Sequence, residues 1–446
     1  MPRRSITRRS ALALALLARL AGEAWAASRY PMPDVAPSVP ERPAACTAAS
    51  PGAPLQSMAD ATPDGGALCL SPGGYVGPLR IERGIAVWGP PDAVIRTNGE
   101  GTTVRLAGAG SALLGLTVDG SGGRYDLEDA AVRVSADRAR VEGVVIRGAI
   151  FGLVVEQAHE VVIRGNRVFG TGREALGMRG DAVRFWETYD SVIEGNVISH
   201  SRDIVVWYAS RNRIIGNTVT DGRYGTHFMY SHGNLVEGNR YLGNVVGVFA
   251  MYSHDLEIRR NELLDSGGAA GLGIGLKESS NLTITENLFV HDTIGLYSDS
   301  SPYLPDNPNR VERNFFRLCE TAVVFHSSPR DNHFEGNSFR SNIEQVRVDG
   351  GGVATEIAWR GNDFDDYVGY DLDRDGVGDV PYELRKLSNE LTGTYPSLAF
   401  LHGTPALWLV DAISHIVPIL RSKTLLVDPA PRMKPLEVKE ILEDRT

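Results

Sequence analysis

Through the middle of the chain, apolar residues come in short β-branched runs rather than in helical stripes. Val161-Val162-Ile163, Ile214-Ile215 and Leu282-Thr283-Ile284 are typical, each bounded by Gly, Asn or Ser. Period-two alternation between turn residues predicts short strands, and no window over these units carries a 3.6-residue period. An Asn closes each unit, at Asn166, Asn196, Asn217, Asn239, Asn261, Asn287, Asn314, Asn337 and Asn362, with spacings from 21 to 30 residues. A strand-and-turn unit of that length is one turn of a solenoid. The pattern therefore predicts an all-β chain, a parallel β-helix over 67–365, with weaker early coils through Val104 and Leu106, Leu116-Thr117-Val118 and Val144-Val145-Ile146. Asn suits such a repeat because it tolerates the left-handed turn conformation and can bond its counterpart one coil away. A β-propeller is the rival, but its blades need ~40–50 residues.

An open coil exposes a sheet edge, so both ends need covers. Leu55 to Thr62 reads as a capping helix, within a leader and cap spanning 27–66. Residues 366–400 form an acidic loop region, and 401–446 a helical and extended tail. Thr404-Pro405 opens a helix there that runs from Ala406 to about Val417. Leu407, Trp408, Ile413 and Ile416 make it strongly apolar, yet it is too short to cross a bilayer. It can cap the solenoid, lie at a membrane interface or dock on a membrane subunit. Leu425 to Pro435 reads as an extended tether.

Arg3, Arg4, Arg8 and Arg9, the apolar run Ala11 to Leu20 and Ala24-Trp25-Ala26 have the form of a signal peptide over 1–26. Export to the periplasm or beyond follows from it. The net charge of −10 becomes four units more negative if the five Arg and one Glu of that segment are removed. That argues against a nucleic-acid partner. Of three cysteines, Cys46 and Cys69 could pair in an oxidising compartment and tie the entry segment to the first coil. Cys319 lies in a strand-like run and reads as a buried thiol.

Met-Tyr-Ser-His occurs twice, at 229–232 and 251–254, one coil apart. Equivalent residues of successive coils stack. Aligning the strands puts Thr226, Val248 and Ile274 inside, and His227, Met229, Phe249 and Met251 outside. The outer column then reads Trp186, Trp207, Met229, Met251, Lys277, with His232 and His254 stacking in the turn beyond. Thioethers and imidazoles are ligands for a soft ion, above all copper, so His227, Met229, His232, Met251 and His254 form the candidate site. Against this, outward Met and Trp are more often a partner surface. A second candidate is Asp371, Asp373, Asp375 and Asp379, at positions 1, 3, 5 and 9 of a calcium-type loop with Gly376 at position 6. Position 12 is Tyr382 instead of the bidentate Glu, so the loop is incomplete.

Several segments together resemble the NosD family, the periplasmic maturation proteins of nitrous oxide reductase. They are Gly180-Asp181 through Trp186, Arg202 through Tyr208, Gly222 through His232, Gly273 through Lys277, Asn342 through Val346, Gly369-Tyr370-Asp371 through Tyr382, and Leu426 through Pro431. The resemblance implies a right-handed β-helix working with the ATPase and membrane subunit of an ABC transporter. It implies a copper-chaperone lipoprotein as a further partner, and a role in building the reductase's copper–sulfur centre. It favours transient Cu(I) at the ridge, Trp186 and Trp207 as partner-facing residues, and docking of the C-terminal helix on the membrane subunit. No catalytic residue is implied. The runner-up is a carbohydrate-active β-helix, a polysaccharide lyase, hydrolase or epimerase, with Trp186 and Trp207 stacking on sugars. That class needs carboxylates or a basic pair in a long groove, whereas Asp203 and Glu187 are scattered.

Overall fold

The computed structural model describes residues 38–326, 330–349, 352–401, 404–417 and 422–437. The export segment read at 1–26 lies outside them. Short strands stack into three parallel sheets along one axis. The first face has 14 strands, from Thr47–Ala49 to Ala358–Arg360, and the second has 13, from Gly73–Val76 to Asp363–Phe364. The third has 12, from Leu79–Ile81 to Glu344–Asp349. This is the parallel β-helix that the repeat predicts.

Inward side chains form columns. The Asn that closes each unit is fully buried, and the column is continuous through hydrogen bonds. In Asn239, the backbone N–H and Nδ2 both donate to Oδ1 of Asn261, at 2.9 and 3.0 Å. Nδ2 also donates to the carbonyl of Ile214 at 2.8 Å. Its own Oδ1 accepts the matching pair from Asn217, both at 2.9 Å. The left-handed conformation falls one residue earlier than the repeat alone indicates. Gly216 and Gly238 have φ of 61° and 65°, and Arg260 takes the same place at 55°. Gly precedes so many of these Asn residues because it adopts that conformation at no steric cost.

A second buried column is aromatic. Phe289, Phe316, Phe339 and Phe364 stack with centroids 4.4, 5.1 and 4.9 Å apart. Both columns are closed at the C-terminal end by later chain. Tyr382 stacks on Phe364 at 3.9 Å and its hydroxyl donates to Asp366 at 2.8 Å. Asp428 takes the place of the next Asn: its Oδ2 accepts the backbone N–H and Nδ2 of Asn362 at 2.9 and 2.8 Å. Strand Leu426–Asp428 pairs antiparallel with Tyr382–Leu384, and Leu426 is buried. The segment read as a tether is therefore docked on the end of the coil, held by an acceptor 66 residues away from Asn362 in sequence.

At the other end, helix α1 (Leu55–Ala61) buries Leu55 and Ala59. The amide of Gln56 exchanges two hydrogen bonds with the backbone of Arg80, at 2.8 and 2.9 Å, and so covers part of the open edge of the third face. A disulfide joins Cys46 to Cys69 beside it, and Cys319 is a buried free thiol whose pKa is raised by burial. After the coil come helices α2 (Leu387–Thr394) and α3 (Pro405–Ile416), clamped where the backbone N–H and hydroxyl of Ser388 donate to Asp411 at 2.8 and 2.6 Å. Among the described residues, no helix is long and apolar enough to cross a membrane.

Candidate functional site

The outward column of the third face runs in unbroken register: Trp186 pairs with Trp207, Trp207 with Met229, Met229 with Met251, and Met251 with Lys277. Adjacent coils stand ~4.8 Å apart, so two thioethers lie within reach of one ion. Both methionines are half-buried. A register shift between Asp203 and Val205 opens this stretch: strand Tyr224–Met229 gains a residue relative to the coil before it. Bulges of this kind re-aim side chains near functional sites.

Here the shift delivers His227. Strand alternation alone makes it an exposed neighbour of Met229, but it is only 6% exposed. Trp207, Tyr224 and Phe249 cover it, with ring centroids 5.4, 4.9 and 6.1 Å away. The indole Nε1–H of Trp207 donates to His227 Nδ1 at 3.3 Å. An indole can only donate, so the neutral ring carries its proton on Nε2, which faces Met251 Sδ at 3.3 Å. Burial, and then the Arg223 guanidinium, push the imidazole down to about 4, so it is neutral near pH 7.

His232 and His254 form a separate pair. Their rings stack at 3.6 Å with 11° between planes, and His232 Nδ1 accepts the backbone N–H of His254 at 3.2 Å. His254 Nδ1 bonds Asp255 at 2.7 Å. In stacked rings the in-plane lone pairs run parallel and do not converge, so one ion cannot take both without splaying them. The structure thus brings together His227, Met251, Trp207 and, by register, Met229. It leaves His232 and His254 as a stacked pair in the turn beyond.

An ion-pair network beneath Trp207 escapes sequence reasoning. Asp181 and Asp203 are buried, and Arg202 donates to Asp181 at 2.8 Å while Arg223 and Arg184 close on Asp203 and Asp181. The Arg184 guanidinium lies 5.4 Å from the Trp207 ring centroid and so occupies one side of the indole. These residues occupy the starts and outward positions of successive third-face strands, a recurrence visible only once the bulge is known.

At the acidic loop, carboxylates of Asp371, Asp373 and Asp375 lie within 4.8 Å of one another. Asp379 does not join them; its Oδ2 accepts the N–H of Leu372 at 2.7 Å. Tyr382 stands at the twelfth position because its ring closes the aromatic column. On helix α3, Trp408, Ile413 and Ile416 are exposed, Trp408 by 71% and Ile416 by 78%, but Leu407 is buried and is not part of the exposed face.

Comparison with known proteins adds the family. The NosD profile, described as periplasmic copper-binding protein (NosD), matches residues 170–369, which hold the whole ridge. A probable ABC transporter binding protein NosD of Pseudomonas aeruginosa is 27% identical over 83% of this chain and 88% of its own. One of the same description from Stutzerimonas stutzeri is also 27% identical, over 84% and 88%. The chain is therefore similar to the NosD family, as described by the profile over its ridge-bearing coils. Among solved structures, the A-module of Azotobacter vinelandii mannuronan C-5 epimerase AlgE6 superposes with a TM-score of 0.53 at 14% identity, covering 68% of this chain and 93% of that one. The catalytic unit of a Streptomyces thermodiastaticus α-1,3-glucanase gives 0.51 at 15%, covering 73% and 65%. At such identities these two show the shared coil alone.

Proposed function

We propose that this NosD-like protein handles Cu(I) in the periplasm as an accessory to an ABC transporter, for assembly of the copper–sulfur centre of nitrous oxide reductase. The observation that carries this reading is the contact of His227 Nε2 with Met251 Sδ at 3.3 Å, beside Met229 and under Trp207. Two thioethers and a neutral imidazole are a soft donor set that suits Cu(I) over harder ions. To ligate through Nε2, His227 must move its proton to Nδ1. That breaks the Trp207 hydrogen bond and frees the indole, whose second side can then stabilise the bound cation. The family's description as copper-binding and its relatives' naming as transporter binding proteins support the same reading. The exposed Trp408, Ile413 and Ile416 would dock on the membrane subunit. A copper-chaperone lipoprotein would load the ridge past Trp186. Calcium at Asp371, Asp373 and Asp375 would be a structural staple only.

The test is an anaerobic competition titration of the mature protein with Cu(I), beside Met229→Ala combined with Met251→Ala. The double variant should lose about 100-fold in affinity, or ~2.7 kcal/mol. Unchanged affinity would remove the ridge from consideration, and turnover of a uronic-acid polymer would replace the reading by the carbohydrate-active one.

A further inference from the structure

The turn that follows the methionine column carries a stack of its own. Tyr208, Tyr230 and Tyr252 take the same place in three successive coils, all left-handed, with φ of 52°, 51° and 51°. Their rings are nearly parallel, 5.4 and 4.9 Å apart. The conformation belongs to the turn itself, since Gln157 and Glu187 take it in the two coils before, at φ 51° and 47°. The next coil puts Glu278 in the same place, at φ 45°. The aromatic stack therefore ends with a carboxylate in the following slot.

A long turn between strands Ile294–Asp299 and Asn309–Glu312 arches back over this point. Ser280 Oγ accepts the N–H groups of both Tyr303 and Leu304 at 2.7 Å, which fixes them across from the stack. Tyr230, Tyr252, His254, Glu278, Tyr303 and Leu304 line a cavity of about 210 Å³. Small-molecule sites run to ~300–1,000 Å³ and sugar polymers need a continuous groove. This cavity matches a single side chain.

We propose that it receives an arginine side chain from a protein partner docking beside the methionine column. A guanidinium is planar and weakly hydrated, so it can continue the tyrosine stack on the Tyr252 face. It can fork onto Glu278 through paired charge-assisted bonds. Asp255, hydrogen-bonded to His254 at the rim, adds a second negative charge. Lys277 stands one residue away, but it belongs to the outward column of the strand, beside Met251.

The experiment uses metal-free mature protein with labelled tyrosine rings, so its failure leaves the copper reading untouched. The probes are acetyl-Gly-Arg-Gly-amide and its citrulline and norleucine analogues, titrated by NMR. The arginine peptide should shift the Tyr252 and Tyr303 resonances with a millimolar Kd, and the citrulline peptide should bind at least ~10-fold more weakly. Glu278→Gln and Tyr303→Ala should each weaken the arginine peptide about 5-fold or more without changing the melting temperature. Equal binding of arginine and citrulline, undiminished shifts in Glu278→Gln, or displacement by an oligosaccharide would overturn the proposal.

Discussion

Two stacks run along this solenoid, both built by repeating a residue once per coil. The Asn ladder points inward, and every donor and acceptor in it is used. The Trp–Met column points outward and keeps soft donors, of which Met251 meets only the ring N–H of His227. The backbone rule is the same for both. Repetition that turns inward becomes stability, because a buried amide must be paired. Repetition that turns outward becomes a row of like ligands at the spacing of the coils.

That contrast can be broken from either side. Asn239→Leu should have the largest effect. It strips the Asn217 N–H and one of the two Asn217 Nδ2 hydrogens of their acceptor, and the Ile214 carbonyl of the Nδ2 donor. At ~1–3 kcal/mol per stranded group, a loss of about 4–6 kcal/mol is expected by chemical denaturation, with Cu(I) affinity in the surviving folded fraction unchanged.

Next is the pH dependence of His227 in the metal-free protein. Its folded pKa is depressed to about 4 from 6.5, so the unfolded chain takes up a proton first as pH falls. The stabilising contribution is complete above about pH 6.5 and is lost on the way down to about 4, up to ~3 kcal/mol. His227→Gln should flatten denaturation curves in that window. Unchanged curves would mean the ring is not held neutral by burial.

Third, the double methionine variant that loses copper should cost stability only modestly, about 1–2 kcal/mol, because both side chains are half-buried. The smallest effect belongs to the acidic loop. Millimolar calcium should raise the melting temperature by about 2 °C or less, and Asp373→Asn should abolish that rise.

The coil was legible because Asn and β-branched runs recur at one spacing, and spacing is a property of sequence. The column Trp186, Trp207, Met229, Met251, Lys277 was legible for the same reason. The covering of His227 was not. It depends on a one-residue register shift and on Trp207, Tyr224 and Phe249 closing over a ring that alternation places outside. Nor was the docking of Leu426–Asp428, since nothing in a local window says that an acidic residue 66 positions on completes an Asn column. The stacking of His232 on His254 followed from the offset, but its consequence for ligation needed ring planes.

Asp428 has a consequence for assembly. Each Asn both gives and takes hydrogen bonds, so the ladder always ends in N–H groups able to accept one more unit. A carboxylate only takes. With Asp428 seated on Asn362 and Gly361, the donors at that end are spent on a group that offers none in return. Without it, the last coil would present the same polar edge that every coil presents to the next. A second molecule's coil could then continue it, turning a finite rod into the seed of a filament. One acceptor-only side chain thereby ends the ladder.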